Sequence, residues 1–236
     1  MRQPRRMPWI DNCVKTLLDS LYPWRCLVCG VTSDQDYGLC AGCERSLPAM
    51  DTACPRCGRA TTAALRCGAC LRDPPVFDQS LAAFRYSVPL SSLIQALKYR
   101  HQIGVAPTLG HLLARTLRPR ITIMPEAIVP VPLHRRRLRR RGFNQALELA
   151  RPVALQTGVP IRFALRERDT PPQAELAPQD RRRNVRAAFR PPRHMQVRHV
   201  AIVDDVMTTG ATANELARAL KDGGAKHIQV WVLART

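Results

Sequence analysis

The sequence is short of acids, of aromatic rings and of long apolar runs, and each shortage excludes something. Only 18 Asp and Glu stand against 37 Lys and Arg, which leaves a net charge of +19. A balance this basic argues against cationic partners and for polyanionic ones: nucleic acid, nucleotide phosphates or an anionic membrane surface. Aromatic residues make up 5% of the chain. That is too sparse for rows of base-stacking platforms, so any nucleic-acid contact is expected to run through phosphates and to weaken steeply with salt. No apolar run approaches the ~20 residues of a membrane-spanning helix. Arg2, Arg5 and Arg6 imitate the start of a signal peptide, but Asp11, Asn12, Lys15 and Asp19 interrupt the stretch after them, so no targeting segment is expected. The expected location is cytoplasmic, where thiols stay reduced.

With 236 residues, 45% of them hydrophobic, the chain has room for one medium domain and a smaller module. Ile10, Val14, Leu17, Leu18 and Leu21 recur at helical spacing and predict an amphipathic helix within residues 1–22, for packing or, less favoured, for membrane contact.

Eight of the nine cysteines form four Cys-x-x-Cys pairs: Cys26/Cys29, Cys40/Cys43, Cys54/Cys57 and Cys67/Cys70. Successive pairs are separated by ten, ten and nine residues. Two residues between thiolates let one tight turn present both sulfurs to a single ion, and a second turn completes a tetrahedron. The spacing favours two Zn2+ sites in a ribbon module over residues 23–73, taken in sequence as 26, 29, 40, 43 and 54, 57, 67, 70. A cross-braced pairing stays open, and iron–sulfur ligation and disulfides are the weaker alternatives. Neither set contains a histidine or carboxylate that would leave a position for water, so both sites read as structural. Modules this short would draw their folding free energy from the metal. Cys13 stands alone and reads as a small buried hydrophobe.

From Val76 onward cysteine disappears and strands alternate with helices, which predicts an α/β domain over 76–236 with a mainly parallel sheet. Strands are expected at 77–86, 127–131, 159–165, 199–203 and 228–233. Helices are expected at 89–99, 106–117, 144–156 and 213–221, with Gly158 as a left-handed cap.

The most informative stretch is His199 to Thr212. A buried strand comes first, then the adjacent acids Asp204 and Asp205 at its carboxyl end, then a small-residue run that opens a helix. Ligands of open α/β sheets sit beyond the carboxyl ends of strands. A helix start offers free N–H groups and partial positive charge to a phosphate. Gly210 allows close approach, Thr208, Thr209 and Thr212 add hydroxyl donors, and Met207 and Ala211 complete the run. The two carboxylates suit the neighbouring hydroxyls of a ribose, or Mg2+. Capping alone would need one such residue rather than two acids and three threonines.

This segment resembles the 5′-phosphate and ribose loop of the type I phosphoribosyltransferases, a Rossmann-like fold. The resemblance implies phosphoribosyl pyrophosphate (PRPP) with Mg2+ as ligand, Asp204 and Asp205 on the ribose and in the catalytic role, and residues 208–212 on the phosphate. A second strand end, Ile128 to His134, leads into Arg135–Arg141, where six of seven residues are arginine. Arg141, Gly142, Asn144 and Gln145 are the expected pyrophosphate contacts, an arginine-rich surface loop being the plain alternative. Residues 166–190, with Thr170–Gln173 and Arg181–Arg186, fit a loop that closes over the reacting carbon.

Over nearly the whole chain the order of motifs is similar to the competence protein F (ComF, GntX-like) family: the double zinc ribbon, Leu97-Lys-Tyr99, Val129-Pro-Val-Pro132, Arg141-Gly-Phe-Asn-Gln145 and Asp204 to Thr212. That resemblance implies a bacterial protein of DNA uptake or utilisation, with single-stranded DNA and a DNA-import helicase as partners. The reaction, if there is one, and the acceptor base are not implied.

Overall fold

The computed structural model describes residues 24–33, 35, 37–168, 188–192 and 196–236. The expected helix within 1–22, Cys13, and the motifs at 170–173 and 181–186 lie outside these residues. By compactness the chain divides after Leu47 into two units. Among the described residues no helix is long and apolar enough to cross a membrane.

In the first unit, a tight turn carries Cys26 and Cys29, closed by Cys26 N to Val31 O at 2.8 Å and Gly30 N to Cys26 O at 2.8 Å. Helix α1 (Ala41–Arg45) comes next, with Cys40 at its N-cap and Cys40 Sγ accepting from Cys43 N at 3.5 Å. Leu39 and the Ser33 hydroxyl, which donates to Leu39 O at 2.8 Å, fill what little core a piece this small can bury.

The second unit opens with a copy of that arrangement. Cys54 N donates to Arg59 O at 2.8 Å and Gly58 N to Cys54 O at 2.8 Å. Helix α2 (Gly68–Arg72) then begins on Cys67. The expected module boundary near residue 75 and the compactness boundary after Leu47 therefore differ by one ribbon. The physical reason is that the second ribbon bonds to the sheet: Ser80 N donates to Pro55 O at 3.2 Å, and Arg56 Nη1 to Asp78 O at 2.8 Å.

The sheet holds β1 (Gln79–Arg85), β2 (Ala127–Pro130), β5 (His199–Met207) and β6 (His227–Arg235) in the order β1-β6-β5-β2, every pairing parallel. The long central strands are buried on both faces, which is why they read as near-continuous apolar runs. Val200, Ile202, Val230 and Val232 share a core with Leu216, Ala217 and Leu220 of α7 (Ala211–Asp222). Strand alternation turns Ala201, Val203 and Trp231 to the other face. There α4 (Val105–Leu117) and α6 (Gln145–Thr157) pack against the sheet and each other, preceded in the chain by α3 (Leu90–Tyr99). A separate antiparallel pair, β3 (Leu165–Arg166) with β4 (Phe189–Arg190), flanks the undescribed residues 169–187.

Three expectations need correcting. Residues 159–164 do not join the parallel sheet as a strand, and Leu165 belongs to β3 instead: Ile161 alone bridges to Ile128, because Pro160 has no N–H and Arg162 and Phe163 are exposed. The strand expected to stop at Val203 continues to Met207, so the two acids lie inside the ladder, Asp204 opposite Val232. Its neighbour β6 runs on to Arg235 and keeps offering bonding partners. The arginine run is not a loop but helix α5 (Arg135–Arg141), started by His134, whose Nδ1 accepts from Arg136 N at 3.3 Å, and stopped by left-handed Gly142.

Candidate functional site

The ends of all four sheet strands and the starts of α6 and α7 meet over a cleft of about 390 Å³. Asp204, Asp205, Thr208 and Thr212 form one wall, Arg137, Arg141, Asn144 and Gln145 a second, and Lys98, Tyr86, Tyr99 and Arg166 close it. Behind Asp204 a pit of about 50 Å³ sinks between Thr208, Gly210, Ala211 and Thr212, at the start of α7. The α7 amides have their free ends here. Gly210 caps the helix with φ 79°, a left-handed conformation that lets the chain fold back over the pit without a Cβ penalty.

The two acids are not equivalent. Asp205 is buried and its Oδ2 lies 2.9 Å from Lys98 Nζ. Its Oδ1 accepts from Val206 N at 2.6 Å. Asp204 Oδ1 accepts from Asp205 N at 2.9 Å. Burial, reinforced by the Asp205 charge and only partly opposed by Lys98, lifts the Asp204 carboxyl to about 7. Burial would lower the Lys98 ammonium, but Asp205 and then Asp204 hold it above its ordinary value. The site therefore pairs one acid with Lys98 and leaves the other, Asp204, poised to exchange a proton near neutrality.

On α5, Arg137 and Arg141 are one turn apart and face the cleft, while Arg135, Arg136, Arg139 and Arg140 are exposed. Burial lowers the Arg141 guanidinium, and the Asp205 charge works against that. Asn144 lines the cleft but is occupied structurally: its Oδ1 caps α6 by accepting from Ala146 N at 3.1 Å, and its Nδ2 donates to Val131 O at 3.0 Å. Gln145 is the opposite case. It is 3% exposed, and its Nε2 has no hydrogen-bond partner among the described residues. A buried donor left this way is costly unless something completes it.

Not every expected residue joins the cleft. Gly142 serves as the α5 cap and does not line it. Thr209 faces a different opening, and its Oγ1 accepts from Ala211 N at 3.3 Å. Met207 is buried and touches the pit. Sequence reasoning assigned no role to Lys98, Tyr86 or Tyr99, took Arg137 only as one of an arginine run suited to pyrophosphate, and put Arg166 in a closing loop. Lys98 lay within the Leu97-Lys-Tyr99 motif, the one signal that could have singled it out. Arg166 is 8% exposed, with its guanidinium 5.5 Å above the Phe189 ring.

The cysteines gather as two sets in sequence, Cys26/29/40/43 and Cys54/57/67/70, each with its sulfurs within 4.8 Å of one another. The Cys29–Cys40 and Cys57–Cys67 sulfurs are 3.8 and 3.7 Å apart. A tetrahedron with Zn–S near ~2.3 Å has S–S edges of about 3.8 Å, so the donor sets fit zinc. Burial opposes the thiolate at Cys26 and Cys54, but knuckle amides outweigh it and hold both near 6. Four thiolates leave no open position, which makes the sites structural.

Residues 17–71 match the double zinc ribbon domain family, and residues 140–236 the phosphoribosyl transferase domain family. DNA utilization protein YhgH of Escherichia coli is 41% identical over 207 residues, 85% of this chain and 91% of that protein. Competence protein F of Haemophilus influenzae is 36% identical over 227 residues, 92% of this chain and 99% of that protein. The solved adenine phosphoribosyltransferase of Leishmania tarentolae aligns over 69% of this chain and 80% of its own at 16% identity, with a TM-score of 0.40.

Proposed function

Because this chain belongs to the competence protein F family, we propose that it serves DNA uptake or utilisation by binding PRPP with Mg2+ in the Asp204 cleft and single-stranded DNA on its arginine-rich surface. The observation that carries this reading is the junction of cleft and pit at Asp204. The pit has the size and the helix-start amides for an ester phosphate, and the adjoining carboxyls suit ribose hydroxyls. Arg137, Arg141 and the unsatisfied Gln145 Nε2 stand where a pyrophosphate would extend into the cleft. Mg2+ is a hard, oxygen-seeking ion, and the Asp204 and Asp205 carboxylates are the donors here that suit it; it would neutralise pyrophosphate charge.

If transfer occurs, its protein contribution is charge placement. Arginines steady the departing pyrophosphate while the carboxyl pair faces the sugar as positive charge grows at C1. The exposed arginines of α5 offer phosphate contacts to a DNA strand with no base preference. A DNA-import helicase is the protein partner this role would serve.

The test is calorimetric titration of zinc-loaded protein with PRPP and Mg2+. Asp204→Asn with Asp205→Asn is expected to abolish binding while zinc content stays at the parental value. Parental affinity in the double variant sinks the site. Pyrophosphate release that requires an added nucleobase separates transfer from binding alone.

A further inference from the structure

At the end of β6, one side chain joins two pieces of chemistry that the proposed function treats separately. Arg235 is 3% exposed, and backbone carbonyls surround its guanidinium. Nε donates to Cys57 O at 3.1 Å. Nη1 donates to Met207 O at 2.9 Å, to Thr208 O, and to Thr236 O at 2.6 Å. Cys57 belongs to the second thiolate set. Met207 and Thr208 are where β5 turns into the loop that walls the pit.

The knuckle and the loop are also close in space. A Cβ on Gly58 would lie 2.9 Å from Ser80 Oγ and 3.7 Å from Met207 Cε, so the knuckle sits against the strand with no room to spare. On the reverse side of the loop, Cys57 and Cys70 share the walls of a cleft of about 450 Å³ with Thr209, Gly210 and Ala211. The hydrogen bonds supply the coupling: the guanidinium that holds Met207 O and Thr208 O is itself held by Cys57 O. A ribbon this short draws its fold from the metal, so zinc is what fixes the Cys57 carbonyl in place. One anchor of the buried guanidinium therefore depends on metal occupancy.

We infer that Arg235 is a positioning residue through which the second zinc cluster sets the shape of the phosphate loop, so that metal occupancy at Cys54, Cys57, Cys67 and Cys70 and affinity for a 5-phosphorylated sugar are linked. The affinity half of this statement rests on the loop being a phosphate site; the loop-shape half does not. Linkage is reciprocal, so bound phosphosugar also holds the metal.

The test uses the full zinc-loaded chain with ribose 5-phosphate as probe. Arg235→Gln is expected to keep its zinc and to weaken the probe at least tenfold. Arg235→Lys, which keeps the charge and part of the donor set, is expected to recover some of that loss. Arg56→Gln releases the same knuckle from Asp78 O and Pro75 O without touching the loop, and is expected to bind the probe like the parent. Parental affinity in Arg235→Gln, or an equal loss in Arg56→Gln, overturns the inference. Hydrogen exchange needs no ligand: withdrawing zinc from the parent is expected to accelerate exchange at the amides of residues 207–211. Unchanged exchange there overturns the inference even if Arg235→Gln fails to fold. Accelerated exchange in a parent that does not bind ribose 5-phosphate sustains the loop-shape half and sinks the phosphate reading instead.

Discussion

Lys98 Nζ sits 2.9 Å from Asp205 Oδ2, joining the last turn of α3 to the middle of β5 across the mouth of the cleft. Both side chains are largely shielded, at 22% and 8% exposure. Removing one partner of such a pair leaves a buried charge without compensation. Lys98→Met is expected to cost about 3 kcal/mol in urea unfolding at pH 7.5. The double variant Lys98→Met with Asp205→Asn should regain much of that loss. Additive losses would show that the pair is not coupled.

Asp204 gives stability a pH dependence with a definite sign. Its folded value of about 7 lies above the ordinary 3.8, so the folded chain holds the proton more tightly than the unfolded one. The stability this contributes is complete below the unfolded value and declines as pH rises towards 7. Asp204→Asn should therefore be more stable than the parent at pH 8, by up to about 4 kcal/mol, with the advantage shrinking on acidification and gone near pH 4. The proposed ligand, which needs the ionised acceptor, should bind about tenfold more weakly for each pH unit below 7. A gain in stability that grows towards acid would contradict the assignment.

Gln145 separates a ligand role from a packing role. Its buried Nε2 lacks a partner among the described residues, so Gln145→Met should leave the unfolding midpoint unchanged or raised, because an unsatisfied donor is lost. PRPP affinity should fall about tenfold, the worth of one hydrogen bond to a charged group. A lowered midpoint with intact affinity would assign the amide to the fold.

The two zinc sites should respond differently to mutation. Cys29→Ser and Cys57→Ser are each expected to lose one zinc of two, read by metal analysis. Only Cys57→Ser should also lower the melting temperature of the α/β unit, by about 5 °C or more, since its ribbon belongs to that unit. Equal effects on that melting transition would count against a structural tie.

Replacing exposed Arg135, Arg136, Arg139 and Arg140 by Gln should weaken single-stranded DNA and flatten its salt dependence. The log–log slope should fall by about 0.7 for each arginine that contacted a phosphate, with zinc and PRPP binding intact. An unchanged slope would move the DNA path elsewhere.

What was legible in the sequence was local. A Cys-x-x-Cys turn carries its own geometry, and the central strands announce themselves because both faces are buried. Helix starts and stops at Asn144, Gly158 and Gly210 come from single-residue preferences. What was not legible depends on distant partners. β5 runs past Val203 because β6 accompanies it to Arg235, which no property of residues 199–203 reveals. The arginine run becomes helical through a His134 cap and the good helix propensity of arginine, although its charge pattern suggested a loop. Lys98, Tyr86 and Arg166 enter the cleft from three separate elements, and only the tertiary arrangement brings them to Asp204.

The short antiparallel pair of Leu165–Arg166 with Phe189–Arg190 acts as a neck. Whatever lies between its two sides leaves and rejoins the domain at one fixed gate, beside the Arg166 wall of the cleft. Closing a longer span costs only logarithmically more in entropy. Such a stem fixes the two points at which the intervening stretch joins the domain, so that evolution or an engineer could lengthen it, shorten it or rewrite its charge without rebuilding the sheet underneath.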